Sequence, residues 1–233
     1  MTITRYAPQP VPAGIADAPA PWLLHGRGYI LAVKMPDDVL DSDPWTPDSL
    51  RASRKGAVSL VMLVDYASSP AGPYQELLFI PGSFRFGNQR HPSISRIFVS
   101  SWESVHNGRR NWGIPKDRCD FDMRYGLPDG TDQARLTAED GDFIAELTLR
   151  PRGPSLPMPG NWVPAALRTL SQHWEGRQFT LAPSAKGRLR WAKVEGWRFN
   201  PAQFPDLARG RCIAAFEIPR FEMVFPEPRV SPL

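Results

Sequence analysis

The chain has 233 residues, 42% of them hydrophobic and 22% charged, and a net charge of +4. These are ordinary proportions for a globular protein, and no apolar run reaches the roughly 18 residues that a membrane helix needs. Lys and Arg are scattered, with no basic run interleaved with aromatics, so the positive excess reads as a solvated surface or as help for an anionic small substrate, not as a nucleic-acid interface.

Cys119 and Cys212 are too few and too far apart for a disulfide framework or a zinc site. The first residues, MTITRYAPQPVPAG, contain no apolar signal core, which makes cytoplasmic the expected location. Twenty-six prolines is about twice average usage, which predicts a mostly β architecture of short strands and rigid turns. No long polar linker divides the chain, so a single domain over 22–233 is expected, preceded by an arm over 1–21 that is rich in Pro and Ala and has little to bury. The arm is expected to be loose or to lie on a neighbouring subunit.

In chain order, Trp22 to Met35 predicts a strand, with Tyr29, Leu31 and Val33 alternating and Arg27 at its mouth. Residues 36–55 read as a solvated connection with about one helical turn. Ala57 to Tyr66 is a continuous apolar run, which suits a central strand covered on both sides. Tyr74 to Ile80 is the next strand, and Glu76 within it is a carboxylate among apolar neighbours, which demands a partner. Residues 81–95 read as a loop.

Ile97 to Val99 predicts a strand. Ser100 and Glu103 have the spacing of a capping box that opens a helix near Ser101, and Gly113 closes it. Pro115 then holds the chain extended, and Lys116 follows this stiff corner. Beyond a weak strand at Cys119 to Tyr125, QARLTAE and DFIAELTLR form the clearest hairpin signal, joined through Asp140 and Gly141. Residues 151–160 read as a proline-rich crossing loop and Val163 to His173 as a short helix. Strands are expected at Phe179 to Leu181, Leu189 to Val194 and Cys212 to Phe216, with a small helix in PAQFPDLA.

Four stretches carry a family resemblance: HGRGY at His25 to Tyr29, GPYQE at Gly72 to Glu76, NGRRNWGIPK at Asn107 to Lys116, and EIPRFEMVF at Glu217 to Phe225. In order and spacing they resemble the acetoacetate decarboxylase family, whose lysine forms a Schiff base with a keto acid. The resemblance implies an α+β, mostly β fold, a curved antiparallel β-barrel with small flanking helices, in a homo-oligomer. It also implies a cofactor-independent lyase acting on a small keto acid. Lys116 and Glu76 would be catalytic, Lys116 as the nucleophile and Glu76 as the proton-relaying or orienting residue. Arg27 would grip the substrate carboxylate, with Arg109 and Trp112 also at the substrate.

The chemistry fits those residue types. A lysine imine supplies an electron sink without metal or organic cofactor, but only a neutral amine attacks. At an unperturbed pKa near 10.4 only about one lysine in a few thousand is neutral at pH 7, a deficit of roughly 4.6 kcal/mol. Burial and nearby positive charge remove that deficit, and acetoacetate decarboxylase is itself the standard example of such tuning.

The chain departs from the family in three places. Asp117 stands where the family has a second lysine, Arg110 replaces a glutamate, and Val61 and Met62 occupy the register of another, with Asp65 the nearest acid. Neighbours on an extended chain point to opposite faces, so Asp117 either faces away from Lys116 or, facing it, holds the amine charged. Arg109 and Arg110 either contact substrate or only cap and pair around the helix end. His25, His91, His106 and His173 show no ligand spacing, and no metal is expected. Decarboxylation is the first reading. Aldol, dehydration or cyclisation chemistry through the same imine is the second, and a non-catalytic binding protein the third.

Overall fold

The computed structural model describes residues 6–158 and 168–233. The chain runs through β1 (Trp22–Lys34), α1 (Asp37–Asp41), α2 (Asp48–Arg51), β2 (Ser59–Ser68), β3 (Tyr74–Ile80), β4 (Ser83–Phe86), β5 (Gln89–Pro92), β6 (Arg96–Val99), α3 (Trp102–Trp112) and β7 (Lys116–Arg118). It continues through β8 (Asp120–Arg124), β9 (Asp132–Thr137), β10 (Phe143–Met158), β11 (Leu170–Trp174), β12 (Arg177–Leu181), β13 (Ser184–Phe199), β14 (Arg211–Phe225) and β15 (Arg229–Pro232).

Ten strands form one sheet in the order β7-β6-β3-β2-β1-β14-β13-β10-β9-β8, curved into a nearly closed barrel. Neighbours in it are antiparallel except β6 and β7, which run parallel. A parallel pair needs a crossover of a dozen or more residues. Here α3 supplies it, and so lies directly above the strand that carries Lys116.

The sheet buries both faces. Tyr29, Leu31, Val61, Leu63, Leu77, Phe79 and Phe98 point to one core. Leu24, Val64, Tyr66, Tyr74, Leu78, Ile80, Ile97 and Val99 point to the other. Residues paired across strands share a face, and Gly28, Val64, Glu76 and Val99 form one such row. Arg27, Asp65 and Gln75 form the adjacent row and face the opposite way.

Several expectations need correction. The helix is capped by Ser101, whose hydroxyl accepts from the Ser104 amide; Ser100 is committed to the Gln75 amide instead, at 2.9 Å. Residues 36–55 contain two short helices, and Leu40 and Leu50 are buried. The expected loop at 81–95 contains the β4–β5 hairpin, seated by Phe84 and Phe86.

The expected crossing loop is strand through Met158. Beyond Asp132↔Leu149 the β9 partner ends, and among the described residues β10 from Pro151 pairs only with β13. Proline, which lacks an amide donor, is tolerated on such an open edge. The helix expected at Val163 to His173 lies partly outside the described residues, and its last part, from Leu170, is strand β11. PAQFPDLA yields a single 3-10 turn, Leu207–Arg209. The arm's described part packs on its own chain: Tyr6 and Gln9 bond Asp117, and the Ala18 amide bonds Asn107.

Candidate active site

Lys116 and Glu76 meet across the strand between them. Glu76 on β3 pairs with Val99, and Lys116 on β7 pairs with Ile97, so both side chains rise from the same face of β6. Lys116 is 3% exposed and Glu76 4%. Lys116 Nζ donates to Glu76 Oε2 at 3.0 Å and to Ser104 Oγ at 3.0 Å. It also lies 4.9 Å from the centre of the Tyr74 ring. Tyr66 donates to Glu76 Oε1 at 3.3 Å. Burial, and then the charge on Glu76, hold the phenols of Tyr66 and Tyr74 well above their ordinary range, so both stay protonated donors.

Helix α3 roofs this group with one stripe at four-residue spacing, Ser104, Gly108 and Trp112. The Lys116 stem runs beneath Gly108: a β-carbon there would stand 2.6 Å from Lys116 Cδ and 2.8 Å from Cε. Trp112 is buried, donates to the Pro226 carbonyl at 2.8 Å, and meets Trp22 edge-on at 5.0 Å. Gly113 ends the helix with φ 61°, a conformation that glycine adopts without strain. Pro115 follows, and β7 begins at Lys116.

These groups open onto a cavity of about 380 Å³ whose remaining wall is almost wholly hydrocarbon, including Leu24, Ile30, Met62, Val64, Leu78, Ile80, Ile94 and Phe225. Among the described residues, the charged side chains that line it are Lys116, Glu76 and Arg168. Arg168 Nη1 is tied to the carbonyls of Ala182 and Pro183, at 2.9 and 2.5 Å. Met62 occupies the wall where the resemblance would place a second glutamate, and Asp65 is across the sheet, bonded by Tyr125 and Gln75.

Asp117 faces away from Lys116. Its Oδ2 accepts from Arg96 Nη1 at 2.5 Å and Tyr6 Oη at 2.6 Å, and its Oδ1 from Arg109 Nη2 at 2.9 Å and the Gln9 amide at 3.0 Å. Two guanidinium groups thus surround this buried carboxylate on the far side of the strand.

Two expected substrate contacts are therefore displaced. Arg109 belongs to the Asp117 cluster: besides that carboxylate it bonds the carbonyls of Lys116 at 2.8 Å and Gln9 at 2.7 Å. Arg27 lies in the row facing the opposite core. Its Nη2 reaches Glu217 at 3.0 Å and Asp132 at 3.2 Å, and its guanidinium stacks 3.8 Å from the Tyr125 ring centre. The strand period that sends Gly28 into the cavity sends Arg27 away from it.

Lys116, Glu76 and Trp112 are brought together; Arg27 and Arg109 are not. Tyr66, Tyr74 and Ser104 join them unforeseen. Tyr74 stands two residues before Glu76 and so shares its face, and Ser104 stands four before Gly108 on the helix. Both were signalled by period alone.

No protein-family model matches the sequence, and no curated protein matches it. Similarity is found among solved structures. An acetoacetate decarboxylase from Legionella pneumophila superposes with a TM-score of 0.71 at 14% identity, over 96% of this chain and 92% of that one. An acetoacetate decarboxylase-like enzyme from Sphingomonas wittichii gives 0.69 at 11% identity, over 98% and 99%. The enduracididine biosynthesis enzyme MppR, complexed with pyruvate, gives 0.62 at 12% identity, over 91% and 90%.

Proposed function

Given an acetoacetate decarboxylase-like fold, we propose that the chain is a cofactor-independent Schiff-base enzyme in which Lys116 condenses with the carbonyl of a keto acid, decarboxylation being the first reaction to test. The observation that carries this reading is a single buried amine, 3.0 Å from Glu76, at the wall of an apolar cavity. The other lysines, Lys34, Lys55, Lys186 and Lys193, are exposed.

A proton handed across the contact from Nζ to Glu76 leaves a nucleophilic amine. Attack on the ketone and loss of water give a protonated imine. The bond to the carboxylate carbon then breaks, carbon dioxide leaves, and its electron pair moves into the imine to form an enamine. The proton held by Glu76 is spent as the hydroxyl leaves as water; the enamine carbon takes a second proton, drawn from water and delivered through Glu76, and water hydrolyses the imine to restore Lys116. The displacement of Arg27 does not disable this sequence. A carboxylate placed in dry, apolar surroundings loses charge as carbon dioxide forms, so the cavity itself favours the departing state. Asp117, with its charge satisfied across the sheet by Arg96 and Arg109, does not compete with Glu76 for the amine.

A second reading keeps the imine but uses the enamine as a carbon nucleophile towards an aldehyde. A structure of MppR holding the condensation product of pyruvate and imidazole 4-carboxaldehyde, with a TM-score of 0.64, supports it. Borohydride reduction in the presence of keto acids, followed by intact mass, tests the common step. The expected result is a stable adduct that Lys116→Ala lacks; no adduct with any keto acid contradicts both readings. Carbon dioxide release then separates them.

A further inference from the structure

The cavity over Lys116 is larger and drier than a small keto acid needs. Its volume of about 380 Å³ is room for roughly a dozen water-sized groups at ~30 Å³ each. The reacting part of a keto acid, a carbonyl, one carbon and a carboxylate, fills about half of that. Water in the remainder would find few partners, because most polar side chains gather around Glu76, Arg168 turns its Nη1 onto the carbonyls of Ala182 and Pro183, and the wall along β2 and β3 beyond Glu76 is hydrocarbon.

That wall has a direction. From Glu76 the cavity-facing residues of β3 are Leu78 and Ile80, and those of β2 opposite them are Met62 and Leu60. Ile94 borders the same region. Four residues of strand span about 13 Å, so an unbroken apolar track of that length leads away from the amine.

We propose that the natural substrate is a carbonyl compound with an apolar tail of roughly six to eight carbons, its carbonyl at Lys116 and its tail along Met62, Leu78, Ile80 and Ile94. The chemistry rests on the imine reading above, whereas the tail rests on the cavity alone, and the two are separable by experiment.

Borohydride trapping is run with 3-oxo acids of four, six, eight and ten carbons, and calorimetry is run separately with 1-butanol and 1-octanol, which cannot form imines. The half-saturating concentration for trapping should fall about fourfold for each methylene added until the track is full. Octanol should bind at least ~10-fold tighter than butanol. Ile80→Trp, or Ile94→Phe should the first not fold, should abolish the preference for long chains, so that eight- and ten-carbon acids are trapped no better than the four-carbon acid by the same variant. Equal trapping at all lengths overturns the tail and leaves the imine standing. Octanol binding without trapping of any acid supports the tail and overturns the imine. Failure of octanol to bind overturns the tail.

Discussion

Lys116 and Asp117 are consecutive residues whose side chains end on opposite faces of the sheet, the amine against Glu76 at 3.0 Å and the carboxylate against Arg96 at 2.5 Å. The alternation of an extended chain produces this, and Pro115 starts it. An acidic residue next to the proposed nucleophile is thereby electrostatically spent elsewhere.

The Lys116–Glu76 pair should be mutually dependent. Lys116→Met leaves a buried carboxylate without its charged partner and should cost about 3–5 kcal/mol of stability. Adding Glu76→Gln should restore most of that loss. Urea denaturation of the two single variants and the double variant measures it, and additive losses would show that the pair is not coupled.

Gly108→Ala should separate stability from chemistry. Alanine favours the helix by about 1 kcal/mol, but its methyl would stand within 3 Å of the Lys116 stem. The amine must shift, so trapping by keto acids should fall ~10-fold or more, while the thermal midpoint stays near that of the parent. Unchanged trapping would place the reacting amine elsewhere.

Arg27→Met should behave as a structural variant. Its guanidinium serves Asp132 and Glu217, and its loss should lower stability by about 1–3 kcal/mol. Concentration-dependence of trapping should not change. A tenfold weaker keto acid response in a folded Arg27→Met protein would restore the anion-gripping role that the resemblance implied.

Stability should fall in mild acid. Desolvation holds His91 and His173 below their ordinary pKa. The unfolded chain therefore takes up protons first as pH drops below about 6.5, and ∂ΔG/∂pH is positive there. Their contribution is fully present above that pH and is lost as pH falls through the depressed folded values. His91 accepts or donates one bond, to Ser171 at 2.8 Å; His91→Asn should flatten the pH dependence of the urea midpoint between pH 5 and 7. An unchanged slope would mean that other groups carry it.

Much of this was legible in the residues. Trp22–Lys34, Tyr74–Ile80 and the Asp140-Gly141 hairpin follow from alternation and turn chemistry, and the NGRRNWGIPK stretch marked the helix, its glycine stop and the lysine beyond it. What escaped was partnership. Arg27 looks like an anion binder because a motif places it in sequence, but which core it faces depends on its partners across the sheet, Asp65 and Gln75, whose row lies opposite to that of Gly28, Val64 and Glu76. Residues 151–158 look like a loop because they are proline-rich. They remain strand because β9 ends and leaves an edge where no donor is required. Tyr6 and Gln9 carried no local signal at all, since their role is set by Asp117 more than 100 residues away.

The most direct test is to find which lysine carries the adduct. After reduction with a keto acid and borohydride, the protein is digested and each lysine-containing peptide is weighed. The account predicts the added mass on the peptide containing Lys116 and none on those of Lys34, Lys55, Lys186 or Lys193. An adduct spread over the exposed lysines, with Lys116 unmodified, would contradict it.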